Sequence, residues 1–265
     1  MAMMNWKQLT TNKRYGLEEK YDTVKEDRTQ FQRDFDRLIF SAPFRRMQNK
    51  TQVFPLPGSV FVHNRLTHSL EVSSVGRSLG LDCGHEIIKR HENLGEDFAV
   101  SLGAIVSAAC LAHDMGNPPF GHAGERAIAS FFSESESGRK LRDYRDPKTG
   151  EQLSSAQWND ITRFDGNANA FRILTHQFNG RRRGGFVMTY PTLASIIKYP
   201  FSSSLATKQK FGFFESERDA FVKIADELGL ICIENHDGLV KYSRHPLAYL
   251  VEAADDICYE IMDIE

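Results

Sequence analysis

The stretch that most limits what this chain can become runs from Phe98 to Glu125. Phe98 to Ala112 is mostly apolar and small, and Leu102, Ile105, Val106, Ala109 and His113 follow the i, i+3/i+4, i+7, i+11 spacing of one helix face. His113 therefore continues a buried stripe. Pro118 and Pro119 stop the helix. Gly121 to Phe132 can start another, carrying His122 and Glu125. A carboxylate at the C-terminal end of a buried helix opposes the helix dipole, so Asp114 beside His113 calls for a counter-cation. A lone His-Asp pair is more often a satisfied core histidine next to an aspartate. The rest of the chain has to supply further ligands before a metal site is indicated.

The chain has 265 residues, enough for one large domain or two small ones, and 41% of them are hydrophobic. Residues 1–32 are polar and charged and read as an N-terminal arm with a short helix. Residues 33–265 read as the domain. Helical order is expected in Arg33–Arg46, with a break at Ser41-Ala42-Pro43, and again from Arg65, where His68, Val72, Val75 and Leu79 share a face. Ser133–Ser155, with its Asp146-Pro147-Lys148-Thr149-Gly150 turn, reads as a surface excursion. Trp158–Phe178 reads as one helix, Leu193–Tyr199 as a short one, and Glu217–Leu228 as another capped at Gly229. Ile231–Ile233 and Leu239–Tyr242 flank Asn235-His236-Asp237-Gly238 and predict a small β-hairpin. Pro246 suits the first turn of a last helix, whose pattern is still running at Glu265 without a cap. The chain is therefore expected to be a truncated or early-terminated form of a longer protein. The fold class is mainly α, with at most a small β-hairpin.

A formal charge of −2 does not indicate a globally basic nucleic-acid binder. The Arg181-Arg182-Arg183 loop leaves weak contact with single-stranded nucleic acid open, although such a run is more often a solvated loop. Cys83, Cys110, Cys232 and Cys258 are scattered, with no C-x-x-C pair, as expected of reduced thiols in the cytosol. No secretory h-region and no membrane-length apolar run occurs in this sequence, so a soluble, cytoplasmic protein with no membrane contact is expected.

Three inward-facing places share one chemistry. His68 lies on the first core helix, and His113 with Asp114 ends the second. In the last helix Asp255 and Asp256 stand amid Ala, Ile and Val, with Val251, Asp255, Cys258 and Met262 on one face. Adjacent aspartates in such company are costly to bury without a partner. Two imidazoles and two carboxylates suit one divalent ion, Mn2+, Fe2+ or Mg2+, and no thiolate is placed to make a structural zinc site.

The order His, His-Asp, Asp resembles that of the HD-domain metal phosphohydrolases. Within them the chain resembles the deoxyguanosine triphosphate triphosphohydrolase family. The residues that carry the resemblance are Phe44–Leu56, Asn64–Val72, Leu111–Glu125, Arg244–Leu247 and Glu252–Tyr259. It implies an HD-domain helical, bundle-like globule that hydrolyses a deoxynucleoside triphosphate (dNTP), dGTP foremost, to deoxynucleoside and inorganic triphosphate. It implies one divalent metal ion on His68, His113, Asp114 and Asp255, with Asp256 the lesser candidate. His122 and Glu125 would form the catalytic pair. Arg65, Asn117, Asn167 and Lys198 would meet the phosphates or line their pocket; Gln52 and Val53 would meet sugar and base. Tyr259 would pack on the deoxyribose, where it leaves no room for a 2′-hydroxyl, with Asp263 near the sugar or base. A homo-oligomer is also implied. The alternatives are another HD phosphohydrolase, such as a 5′-nucleotidase or cyclic-nucleotide phosphodiesterase, and a nucleotide- or nucleic-acid-binding regulatory module with a vestigial site.

Overall fold

The computed structural model describes residues 3–19, 28–51, 64–91, 93–180 and 182–264, with the side chains of 262–264 excepted. Among them are twelve α-helices and one two-stranded sheet. The helices are α1 (Trp6–Leu9), α2 (Gln30–Ile39), α3 (Ala42–Arg46), α4 (Arg65–Arg90), α5 (Asp97–Ala112) and α6 (His122–Glu134), then α7 (Glu136–Asp143), α8 (Ser155–Thr162), α9 (Gly166–Thr175), α10 (Tyr190–Ser195), α11 (Arg218–Glu227) and, after the hairpin, α12 (Pro246–Ile264). No helix among the described residues is long and apolar enough to cross a membrane.

α5 is the axis. Every residue from Ile105 to Ala112 is buried, so the helix is enclosed rather than amphipathic. α2, α4, α10 and α12 pack around it. The tightest of these contacts is with α4, and its cause is a row of small residues. Gly76, Gly80 and Gly84 recur every four residues on α4 and face Cys110, Gly103 and Ala99 of α5. A Cβ on Gly80 would lie 2.8 Å from the Gly103 Cα, and one on Gly84 2.5 Å from the Ala99 Cα. The pairing runs antiparallel, Gly76 against Cys110 and Gly84 against Ala99, which brings the start of α4 beside the end of α5. His68 and His113 are thus neighbours because of glycines several turns away.

α4 starts where it does because Asn64 caps it. The Asn64 side chain accepts from the Leu66 and Thr67 N–H groups, and Thr67 Oγ1 accepts from the Asn64 N–H. The small hairpin, β1 (Cys232–His236) and β2 (Leu239–Tyr242), turns at Asp237 and Gly238, both with positive φ, and leads into α12. α12 buries Leu247, Ala248, Val251, Ala254 and Cys258 against α4 and α5.

Four local expectations change. The 133–155 excursion contains α7, whose N-cap Ser135 accepts from the Gly138 N–H. The expected 158–178 helix is two helices, broken at 163–165, with Asp165 capping the second. α10 begins at Tyr190 with Pro191 in its first turn, earlier than periodicity placed it. The described part of the N-terminal segment packs onto the body: Leu9 is buried, and the buried Arg14 donates to Asp34 Oδ1 at 2.6 Å and to the Val187 carbonyl at 2.7 Å.

Candidate metal and catalytic site

At the junction of α4, α5 and α12 the expected ligands meet. One donor atom each from His68, His113 and Asp114 lies within 4.8 Å of the others. Asp255 Oδ1 stands 2.9 Å from His68 Nε2 and 3.5 Å from His113 Nε2. His113 Nδ1–H donates to the Cys110 carbonyl at 2.6 Å, which turns the Nε2 lone pair toward the carboxylates. That Nε2 is buried and makes no hydrogen bond among the described residues. Asp114 is held at both oxygens: Arg65 Nη1 donates to Oδ2 and Asn117 Nδ2 to Oδ1, each at 2.5 Å.

The electrostatics ask for a cation. Burial disfavours a charged His113, yet Asp114 and Asp255 raise its pKa to about 9. Burial likewise opposes ionisation of Asp255, but the His113 and His68 imidazoles beside it hold it well below the usual carboxylate range. Positive charge is favoured at the point where these groups converge. An oriented imidazole nitrogen that makes no hydrogen bond among the described residues, set between carboxylates, fits a divalent ion bound by mixed nitrogen and oxygen donors.

Above this cluster opens a cavity of about 320 Å³. Its lining includes four carboxylates, Asp114, Glu125, Glu252 and Asp255, against two lysines, Lys198 and Lys210. That balance would repel a polyphosphate unless a cation offset it.

The same cavity is lined by a second pair, His122 and Glu125. After the Pro118-Pro119 break, Gly121 at φ 53° starts α6, so His122 projects from its first residue. The His122 side chain is 73% exposed, and its Nδ1 lies 2.9 Å from Glu125 Oε2. Glu125 is buried, and burial would raise its pKa. The Gly166 N–H, His122 and Lys210 together lower it, so it stays ionised. Gly116 permits this closeness, because a Cβ there would lie 2.1 Å from the Ala170 nitrogen and the Gly166 carbonyl oxygen.

The remaining expected residues divide. Asn117, Asn167, Lys198 and Tyr259 line the cavity. The Tyr259 ring lies 4.8 Å from that of His68, centroid to centroid. Lys198 Nζ is 2.7 Å from Glu252 Oε1, whose other oxygen accepts from Arg244 Nη1 at 2.9 Å. Arg65 is buried and absent from the cavity wall, its guanidinium committed to Asp114. Asp256 is exposed. Gln52 and Val53 fall outside the described residues, as does the Asp263 side chain.

Two further lysines brace the site from loops. Lys210 Nζ lies 3.2 Å from Glu125 Oε2, and Lys50 Nζ donates to the Met115 and Asn117 carbonyls at 3.1 and 2.9 Å, bracing the turn after Asp114. A single lysine in a loop has no periodicity to reveal it.

Histidine, histidine-aspartate and aspartate converge on one point of this helical body, and the HD domain family model matches residues 65–163. That span holds His68, His113, Asp114, His122 and Glu125; Asp255 arrives from outside it on α12. Over nearly all of its length the chain is similar to proteins named deoxyguanosinetriphosphate triphosphohydrolase-like. It is 44% identical to such a protein from Synechocystis sp., over 99% of this chain and 59% of that one. It is 44% identical to one from Pseudomonas aeruginosa, over 99% and 57%. Identity to the deoxyguanosinetriphosphate triphosphohydrolase of Serratia proteamaculans is 36%, over 94% and 51%. The chain thus spans between half and three-fifths of the length of these relatives.

Proposed function

We propose that this chain is a metal-dependent dNTP triphosphohydrolase that splits dGTP, and other dNTPs with it, into deoxynucleoside and inorganic triphosphate. The observation that carries the reading is the convergence of His68, His113, Asp114 and Asp255 beside a cavity that His122 and Glu125 also line. The relatives' names make dGTP the first substrate to try.

On this reading His68, His113, Asp114 and Asp255 hold one Mg2+, Mn2+ or Fe2+ ion. Bound there, it supplies Lewis-acid neutralisation of phosphate charge. Water forms a bond to the α-phosphorus, the bond from that phosphorus to the 5′-oxygen breaks, and the 5′-oxygen takes up a proton. His122 serves this proton movement. With Nδ1 on Glu125, its Nε2 is the ring nitrogen left to meet substrate. Lys198, Asn117 and Asn167 take the phosphates, Lys198 exchanging Glu252 for an incoming oxygen. Arg65 acts through Asp114, whose carboxylate it holds in place. Tyr259 packs on the deoxyribose; Gln52, Val53 and Asp263 are assigned to sugar and base on resemblance. The same reading carries a homo-oligomer and a cytoplasmic location. Any contact with single-stranded nucleic acid rests on the exposed Arg182 and Arg183, and a filter-binding series across salt would test it.

Incubation with each dNTP and Mg2+ or Mn2+, resolved by ion-exchange chromatography, tests the proposal. Inorganic triphosphate is expected. Orthophosphate alone would favour a nucleotidase, and a nucleoside monophosphate from cyclic nucleotides a phosphodiesterase.

A further inference from the structure

The His122 side chain is largely exposed, and Glu125 orients it. Glu125 is held in turn from outside its own helix. Its Oε1 accepts from the Gly166 N–H at 2.8 Å, and its Oε2 from Lys210 Nζ at 3.2 Å. Both donors trace back to one fully buried carboxylate, Asp165. Asp165 Oδ1 accepts from the Asn167 N–H at 2.9 Å and from Asn167 Nδ2 at 2.8 Å, which makes α9 begin at Gly166. Its Oδ2 accepts from the Phe211 N–H at 3.0 Å, and Lys210 Nζ lies 3.8 Å from Oδ1.

A helix cap alone does not require this. Serine or asparagine accepts from an N-terminal N–H as well as aspartate does, and neither carries charge or a second acceptor of this kind. What Asp165 adds is an oxygen that ties down the Lys210–Phe211 backbone and a negative charge facing the Lys210 ammonium. Burying that charge is costly, so its place behind the catalytic pair calls for a reason.

We infer that Asp165 is a positioning residue for the proposed His122–Glu125 pair. By fixing the Gly166 N–H on one oxygen of Glu125 and Lys210 on the other, it sets the direction in which His122 meets the cavity. The inference rests on the dNTP-hydrolase reading above.

The test is a double-mutant cycle on the 265-residue chain, with dGTP and Mn2+ and steady-state kinetics for wild type, Asp165→Asn, His122→Ala and the double variant. Asparagine keeps the cap at Oδ1 but turns an amide N–H toward the Phe211 N–H and removes the charge facing Lys210. It should lower kcat about ten- to a hundredfold and leave KM within about threefold. In the His122→Ala background the same substitution should cost nothing further, because the two residues act through one group. Equal fold-losses in both backgrounds would make Asp165 a residue of stability alone and overturn the inference. If Asp165→Asn does not fold by circular dichroism, Asp165→Ser, which retains the cap but cannot reach Phe211, carries the same comparison. A wild-type chain that hydrolyses no dNTP would instead remove the reading on which the inference stands.

Discussion

Gly80→Ala puts a methyl group where α4 and α5 leave no room. The new Cβ would sit 2.8 Å from the Gly103 Cα and 3.0 Å from both the Gly103 nitrogen and the Leu102 oxygen. All three are main-chain atoms, so no side-chain rotation relieves the contact. Carbon atoms prefer separations of about 3.5–4.0 Å, so the helices would have to part by about 1 Å. Overpacking of this kind costs about 1–3 kcal/mol, and alanine returns about 0.5–1 kcal/mol in helix propensity. The net loss of about 0.5–2 kcal/mol should lower Tm by roughly 2–6 °C. His68 lies on the same helix about 18 Å away, so the displacement should reach the metal cluster and weaken Mn2+ binding roughly tenfold. Differential scanning calorimetry and a metal titration read both effects. Gly95→Ala, which meets nothing within 4 Å, is the control and should change neither. Gly80→Ala with unchanged Tm and Mn2+ affinity would refute the claim that glycine packing sets the spacing of the ligands.

Other consequences follow from the same geometry. His122→Ala should lose roughly a hundred- to ten-thousand-fold in turnover while keeping its metal by elemental analysis; loss of the metal would make His122 a ligand. Adding Glu125→Ala to it should fall short of the product of the two single losses, as for groups that act as one unit. Tyr259→Ala should narrow the preference for dGTP over GTP more than it weakens metal binding, as read by competition kinetics. His245 is buried, with Nε2 donating to the Leu9 carbonyl and Nδ1 accepting from the Leu247 N–H, and burial lowers its pKa to about 4. Its unfolded pKa is about 6.5, so the neutral form favours the native state. Stability should fall as pH drops below that value and level off near the folded pKa, by about 3 kcal/mol in all. In His245→Asn, which cannot take up the proton, urea midpoints should not show that fall.

How much of this was legible in the sequence depended on the kind of signal each part carries. α5 could be read because its apolar run is long and α12 because its apolar face is regular, and the two ligating ends of α4 and α5 because histidine at a core position stands out. The glycine row Gly76, Gly80, Gly84 was readable in principle from its four-residue spacing. The break between α8 and α9 was not seen, because apolar residues continue through it; the signal was Asp165-Gly166, a cap followed by a weak helix former. α7 lacks apolar periodicity and depends on its Ser135 cap and on packing against α6. The resemblance puts Arg65 at the phosphates rather than on Asp114, and the partners of Lys50 and Lys210 could not be read, because they are distant in sequence and follow from tertiary packing alone.

Hydrolysis of dGTP in H2(18)O tests the central claim most directly, because it reports both the product and the atom attacked. The account predicts one labelled oxygen in the inorganic triphosphate and none in the deoxyguanosine. Label in the 5′-hydroxyl of deoxyguanosine, or release of orthophosphate in place of triphosphate, would contradict it.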